Sequence, residues 1–158
     1  MDDSVARLWA QYRGVTPSVP ASLPLSYSFS DNAEEADALL ELVLSGVKCA
    51  TAPSVAELEL AGDPIPQPGD YAIVTDGAGI ARAVIQTRSV EIRRFADVDE
   101  EFARTEGEGD RTLSWWRTAH QGYYSRVLAG TAYAVSDDLE VVCEEFDLLF
   151  AAPELHTK

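Results

Sequence analysis

Asp76-Gly77-Ala78-Gly79 lies between two apolar, β-branched runs, Tyr71–Thr75 and Ile80–Arg93. Asp and Gly tolerate positive φ, so this link most simply closes an antiparallel hairpin, which argues against a purely parallel, doubly wound sheet. The second run is long enough that it must bend or bulge. Farther on, Val141–Phe150 has strand composition, with Val142, Phe146, Leu148 and Phe150 on one parity, and Thr131–Val135 has the same composition over a shorter length. The turn-rich segment 62–70, GDPIPQPGD, leads into the hairpin.

Helices surround these strands without βαβ alternation. Val5, Leu8, Trp9 and Tyr12 recur at helical spacing between Ser4 and Tyr12, with Gly14 as a stop. Pro17, Pro20 and Pro24 among serines then make Gly14–Asp31 an extended arm laid over the domain. Asp31 or Asn32 caps a second helix with Glu34 and Glu35 in its first turn and a stripe of Ala36, Leu39, Leu40, Val43 and Leu44 ending at Gly46. Val47–Thr51 reads as a short strand, and Ser54 with Glu57 as the capping box of a short helix reaching Leu60. Phe95–Arg104 reads as a helix broken by segment 106–110, EGEGD, and Thr112–Val127 as a helix with Leu113, Trp116, His120, Tyr123 and Val127 on one side. The expected class is α+β with a mainly antiparallel, curved sheet; residues 1–26 form a helix and arm, 27–150 the domain proper and 151–158 a frayed tail.

Size and charge narrow the function. The 158 residues, 46% hydrophobic, suit one domain with a real core. Lys and Arg total 12 against 27 Asp and Glu, a net charge of −15. That field repels phosphate, which argues against duplex DNA as a partner and requires a local basic site for any nucleic acid. Charged residues interrupt the apolar stretches well short of the roughly 18 residues a membrane helix needs. The start, MDDSVARLWAQY, is acidic where a signal peptide is basic, so a soluble, cytoplasmic protein with no membrane partner is expected. Cys49 and Cys143 lie far apart with only His120 and His156 beside them, so neither a disulfide scaffold nor a structural zinc site is expected. Oligomeric state does not follow from the residues.

Three clusters can carry chemistry. Lys48 is the odd residue in an otherwise uncharged segment, Val47 to Thr51, where burial would lower its pKa and a nearby carboxylate would raise it. Its plain alternative is a solvent-facing lysine at a strand start. Thr51 lies at an odd offset from Lys48, so the two converge only if the strand ends or bulges between them; otherwise Thr51 is a cap or a ladder residue. EGEGD offers Glu106, Glu108 and Asp110 as an acid or a cation ligand, or as a solvated turn with Asp110 capping the next helix. Trp115 and Tyr124, with Arg117 as a cation, can form a stacking wall, whereas Trp116 and Tyr123 are assigned to packing and His120 to a hydrogen-bonded, partly buried position. Glu144 shares the parity of Val142 and Phe146 and needs a partner, for which Lys48 and Arg117 are candidates.

On these clusters the sequence resembles the ASCH (activating signal cointegrator homology) domain family. The carriers are Gly46, Lys48 and Thr51 as G-x-K-x-x-T, the Gly69-Asp70 entry to a strand, the run Glu106 to Asp110 followed by Trp116, Arg117 and His120, and Cys143-Glu144-x-Phe146. The resemblance extends from about Tyr27 to Phe150. It departs at Val47-Lys48-Cys49, where relatives often carry a second basic residue or a Lys-Thr pair. It implies a fold similar to the PUA domain, a small curved antiparallel β-barrel with flanking helices and a cleft suited to a nucleoside or single-stranded RNA. It also implies a hydrolase that removes an acyl group from an acetylcytidine-like base or cleaves RNA, the alternative being a non-catalytic RNA-binding module. Carried over by position, Lys48, Thr51 and Glu106 are the expected catalytic set, with Lys48 as base, Thr51 as nucleophile and Glu106 as acid. Glu108, Trp115, Arg117, His120 and Tyr124 are expected around the substrate. No cofactor is expected, although the ribonuclease reading admits a divalent cation.

Overall fold

The computed structural model describes residues 2–153. The order is α1 (Asp3–Val15), β1 (Leu25–Tyr27), α2 (Ala33–Leu44), β2 (Ala50–Thr51), α3 (Val55–Ala61), β3 (Tyr71–Thr75), β4 (Ala81–Arg94), a 3₁₀ turn (Phe95–Asp97), α4 (Glu100–Glu106), α5 (Leu113–Val127) and β5 (Glu140–Ala151). The expected α+β class is met. The expected hairpin forms between β3 and β4, pairing Ile73 with Val84 and Tyr71 with Gln86.

The five strands lie in the order β1-β3-β4-β5-β2. Every pairing is antiparallel except β1 with β3, so the sheet is mixed. Its edge strands β1 and β2 do not pair with each other, so hydrogen bonding among the described residues does not close the expected barrel. Curvature comes instead from irregular register along β4 and β5, at Val84/Ile85 and Thr87/Ser89, as the length of the β4 run requires.

Both faces of the hairpin are covered, which is why its strands are apolar on both parities. Ile73 and Val84 pack with Val5, Leu8, Trp9 and Tyr12 of α1 on one face. Val74, Ala83 and Ile85 pack with Leu39, Leu40 and Val43 of α2 and with Phe146 on the other. Beyond the bulges, Val141 and Cys143 of β5 join Phe95, Phe102, Trp116 and Tyr124 in a third cluster under α4 and α5.

Several boundaries depart from expectation. Helix α1 starts on the Asp2 side chain, which accepts from Ser4 N at 2.8 Å, and continues through Gly14 to Val15. Leu25–Tyr27, inside the supposed featureless arm, is a strand because the exposed edge of β3 is free to pair with it. The Phe95–Arg104 helix is split, with Asp99 recapping α4 by accepting from Phe102 N at 2.9 Å. Thr112, not Asp110, caps α5, and Asp110 Oδ1 accepts from the Thr112 hydroxyl. Thr131–Val135 is not a strand but bend and coil between α5 and β5. The strand reaches Ala151, and Ala152 N donates to Arg82 O at 2.8 Å; the rest of the supposed frayed tail, from 154 on, lies outside the described residues. No described helix is long and apolar enough to cross a membrane.

Candidate functional site

The segment from Gly46 to Pro53 is strapped on both sides. Val47 N and Lys48 N both donate to Leu42 O at the end of α2, and Cys49 N donates to Thr105 O in α4. Phe146 N donates to Cys49 O and Val142 N to Pro53 O, which seats the segment along β5 and leaves only Ala50–Thr51 in ladder geometry. The strand thus begins after Lys48. This removes the parity conflict, and both Lys48 and Thr51 line one cavity.

Gly107 brings the acidic loop onto this segment. Its φ is +74°, and a Cβ there would lie 2.3 Å from Val47 O, so only glycine permits this approach. The approach delivers two carboxylates to one ammonium: Lys48 Nζ lies 3.2 Å from Glu106 Oε2 and 2.8 Å from Glu108 Oε2, and it donates to Ala50 O at 2.8 Å. Lys48 is 2% exposed, Glu106 1%, Glu108 8% and His120 8%. The solvent-facing lysine is therefore not what forms.

Helix α5 completes the cluster from behind. Trp116 Nε1 donates to Glu106 Oε1 at 2.8 Å, and the His120 ring stacks on Trp116 at 4.0 Å. His120 Nδ1 faces Trp116 O at 2.9 Å while Nε2 lies 3.1 Å from Glu106 Oε1. A carbonyl and a carboxylate only accept, so both ring nitrogens carry hydrogen and the ring is an imidazolium. Burial opposes that charge, but Glu106 outweighs it and holds the His120 pKa above its ordinary value.

The same balance sets the other groups. Burial would neutralise Lys48, yet Glu106 and Glu108 hold its pKa above the usual lysine value, so it is an ammonium. Burial likewise opposes the Glu106 charge, but His120 and Lys48 pull its pKa well below the carboxylate range. Glu108 goes the other way: burial first, then the Glu106 charge, pushes it up to about 7 against the pull of Lys48. Glu106 is thus a permanent anion with both oxygens engaged, whereas Glu108 exchanges its proton near neutral pH. Glu106, Glu108 and His120 each offer an atom within one 4.8 Å group, the arrangement a divalent cation would need. The Lys48 ammonium already holds the focus of the two carboxylates and His120 is spent on Glu106, so this set does not fit a metal.

The cavity encloses about 600 Å³. Glu108 and His120 line it together with Lys48, Thr51 and Glu106, whereas Trp115, Arg117 and Tyr124 are not among its lining residues. Trp115 is partly exposed against Gly109, and Arg117 donates to Ala96 O at 2.9 Å. Tyr124 is fully buried with its hydroxyl on Ala52 O at 2.6 Å. Tyr123, read as packing, lines the cavity instead, with its hydroxyl on Glu57 Oε2 at 2.7 Å. The helical stripe identified the aromatic residues without telling which of two neighbours turned to the cleft. Glu144 pairs with neither Lys48 nor Arg117; Thr87 Oγ1 donates to its Oε2 at 2.7 Å. Sequence reasoning also missed Tyr27, Phe29 and Tyr71 as lining residues. The signal for the first two was the alternation Leu25, Tyr27, Phe29 in a segment read as an extended arm.

The ASCH domain family model matches residues 25–149, most of the described domain. This chain belongs to the ASCH domain family. Two solved structures share the whole architecture of this ASCH protein. One, from Enterococcus faecalis and assigned to the DUF984 family model, is 29% identical, with a TM-score of 0.87 over 96% of this chain and 91% of its own. The other, an ASCH domain from Lactobacillus crispatus, is 28% identical, with a TM-score of 0.82 over 94% of this chain and 95% of its own. No curated protein matches the sequence.

Proposed function

We propose that this ASCH protein is a hydrolase of the acyl amide on a small, uncharged, modified nucleoside of the acetylcytidine type. The observation that carries the reading is the buried Lys48–Glu106–Glu108–His120 cluster lining the same cavity as Thr51, whose hydroxyl makes no hydrogen bond among the described residues. A buried cation with a carboxyl that titrates near neutrality is a costly arrangement for stability alone and a useful one for proton transfer.

In this reading Lys48 is not the base, because it stays protonated. Glu108 in its ionised form takes the Thr51 hydroxyl proton as Oγ1 forms a bond to the amide carbonyl carbon. As Glu108 takes up that proton its hold on Lys48 weakens, and the positive charge of the Lys48 ammonium stabilises the oxygen that becomes negative. Glu108 then gives its proton to the departing amine nitrogen as the C–N bond breaks, takes one from the water that attacks the acyl-threonine carbonyl, and returns it to Thr51 Oγ1 as the C–O bond to threonine breaks and the acid is released. Glu106 anchors Lys48 and His120.

The charge of the cleft favours a nucleoside over RNA. Glu35, Glu57, Asp63, Asp70 and Glu144 line it besides Glu106 and Glu108, and Lys48 is its only Lys or Arg among the described residues. A phosphate chain meets repulsion there, and a neutral base does not.

The test is incubation with acetylcytidine, following cytidine and acetate by chromatography. Thr51→Ala is expected to lose turnover with the fold intact, and Glu108→Gln to lower kcat by about 10²–10⁴-fold. Turnover retained by Thr51→Ala, or cleavage or salt-sensitive binding of single-stranded RNA in place of deacylation, overturns the reading.

A further inference from the structure

Strand register places a second carboxylate beside the threonine. Thr51 of β2 and Glu144 of β5 are directly opposite in an antiparallel pair, so their side chains leave the same face with Cβ atoms about 4.5–5.5 Å apart. Glu144 is 6% exposed and lines the cavity. Its Oε2 is braced by the Thr87 hydroxyl at 2.7 Å, which leaves Oε1 with no hydrogen-bond partner among the described residues. A carboxylate this buried normally has every lone pair occupied, so a free oxygen at the cavity wall is a vacancy for a donor. Burial raises the Glu144 pKa, the Thr87 hydrogen bond opposes it and the negative charge of Asp70 adds to it.

Tyr27 adds the complementary group. Its ring lines the same cavity, its hydroxyl makes no hydrogen bond among the described residues, and it lies close enough that the Glu144 charge adds to burial in opposing its ionisation. The lining of the cleft thus offers an acceptor and a donor, each free of hydrogen bonds among the described residues.

We infer that Glu144, braced by Thr87, accepts the N–H of the bond to be cut, while Tyr27 donates to the neighbouring ring acceptor, so that the ligand is a heterocycle with an exocyclic secondary amide. The inference rests on the hydrolase reading and names what that site selects. An amide nitrogen and its carbonyl carbon are directly bonded, so an N–H held on Glu144 sets the carbonyl over the residue opposite, Thr51. The cleft then selects for a proton on the amide nitrogen. Tertiary amides, esters and ketones would cover the cavity-facing Oε1 without giving it a donor and are rejected, as sites built to bind a donor reject analogues lacking it. Glu144 is in this sense a substrate-binding and positioning group, separate from the Lys48 cluster.

The test measures binding by calorimetry in a Thr51→Ala background, where nothing turns over. Its ligands are acetylcytidine and the isostere in which CH₂ replaces the amide N–H. The amide is expected to bind about ten- to hundredfold more tightly. Adding Glu144→Leu is expected to bring that ratio close to one, and Thr87→Val, which releases the brace, to leave it in between. An unchanged ratio in either variant, or failure of the Thr51→Ala protein to bind the amide, overturns the inference. Thr87→Val carries the test if Glu144→Leu does not fold. The two ideas fail separately: binding that depends on Glu144 with no hydrolysis by the unmodified protein sinks only the hydrolase reading. Hydrolysis indifferent to Glu144 sinks only this one.

Discussion

Replacing Glu108 by Gln isolates a buried carboxyl raised toward neutral pH. The Glu108 carboxyl is raised from 4.5 to about 7 by burial and by Glu106. Between those two pH values the folded protein holds a proton that the unfolded chain has released, so stability falls as pH rises through the window. Full protonation below about pH 4.5 removes any difference between the two states, and above about pH 7 the folded protein holds a second buried carboxylate beside Glu106, which Lys48 and His120 already neutralise in part. The gap between 4.5 and about 7, at 1.36 kcal/mol per pH unit, amounts to about 3 kcal/mol. Gln keeps the shape and cannot titrate. Urea unfolding at pH 4.5, 5.5, 6.5 and 7.5 therefore gives the answer as a difference. The stability of the unmodified protein minus that of Glu108→Gln is expected to fall by about 3 kcal/mol across the series. Glu57 and Glu144, whose pKa values are also raised, contribute slope to both proteins and cancel. A difference constant to within about 1 kcal/mol over the series refutes the raised titration of Glu108.

Other perturbations probe the parts that build the site. Lys48→Met leaves Glu108 without its cation and Glu106 with His120 alone, and is expected to cost about 3–5 kcal/mol at pH 8, less at pH 5 where Glu108 takes up a proton; urea midpoints at the two pH values check this. Gly107→Ala meets both the +74° backbone and Val47 O, so it is expected to destabilise by about 2 kcal/mol or more and to abolish activity by lifting both carboxylates off Lys48; unchanged turnover contradicts it. Tyr124→Phe strips Ala52 O of a buried donor and is expected to cost about 1–2 kcal/mol in thermal unfolding, with ligand affinity unaltered because the ring is outside the cavity.

Much of the local structure was legible because it depends on neighbours in the chain. The Ser54–Glu57 capping box forms as written, with Glu57 N donating to Ser54 Oγ and Ser54 N to Glu57 Oε1. The α2 stripe and the β3–β4 hairpin follow from spacing and turn chemistry. The membership of the cavity was legible in part. Lys48, Thr51, Glu106, Glu108 and His120 stood out by motif, while Tyr27, Tyr123 and Glu144 were either missed or assigned elsewhere. Their roles depend on contacts between residues far apart in sequence: β1 with β3, Glu57 with Tyr123, Thr87 with Glu144.

What the residues determined by themselves was the class of the fold, the acidic field and the presence of an odd lysine near a threonine. Only the tertiary structure decided what those groups are chemically. Protonation is set by burial and by charges within a few ångströms, and neither quantity exists until α4, α5 and the Gly46–Pro53 segment meet. That meeting holds Lys48 as an ammonium, keeps Glu106 ionised beside it and His120, and raises the neighbouring Glu108 to about 7.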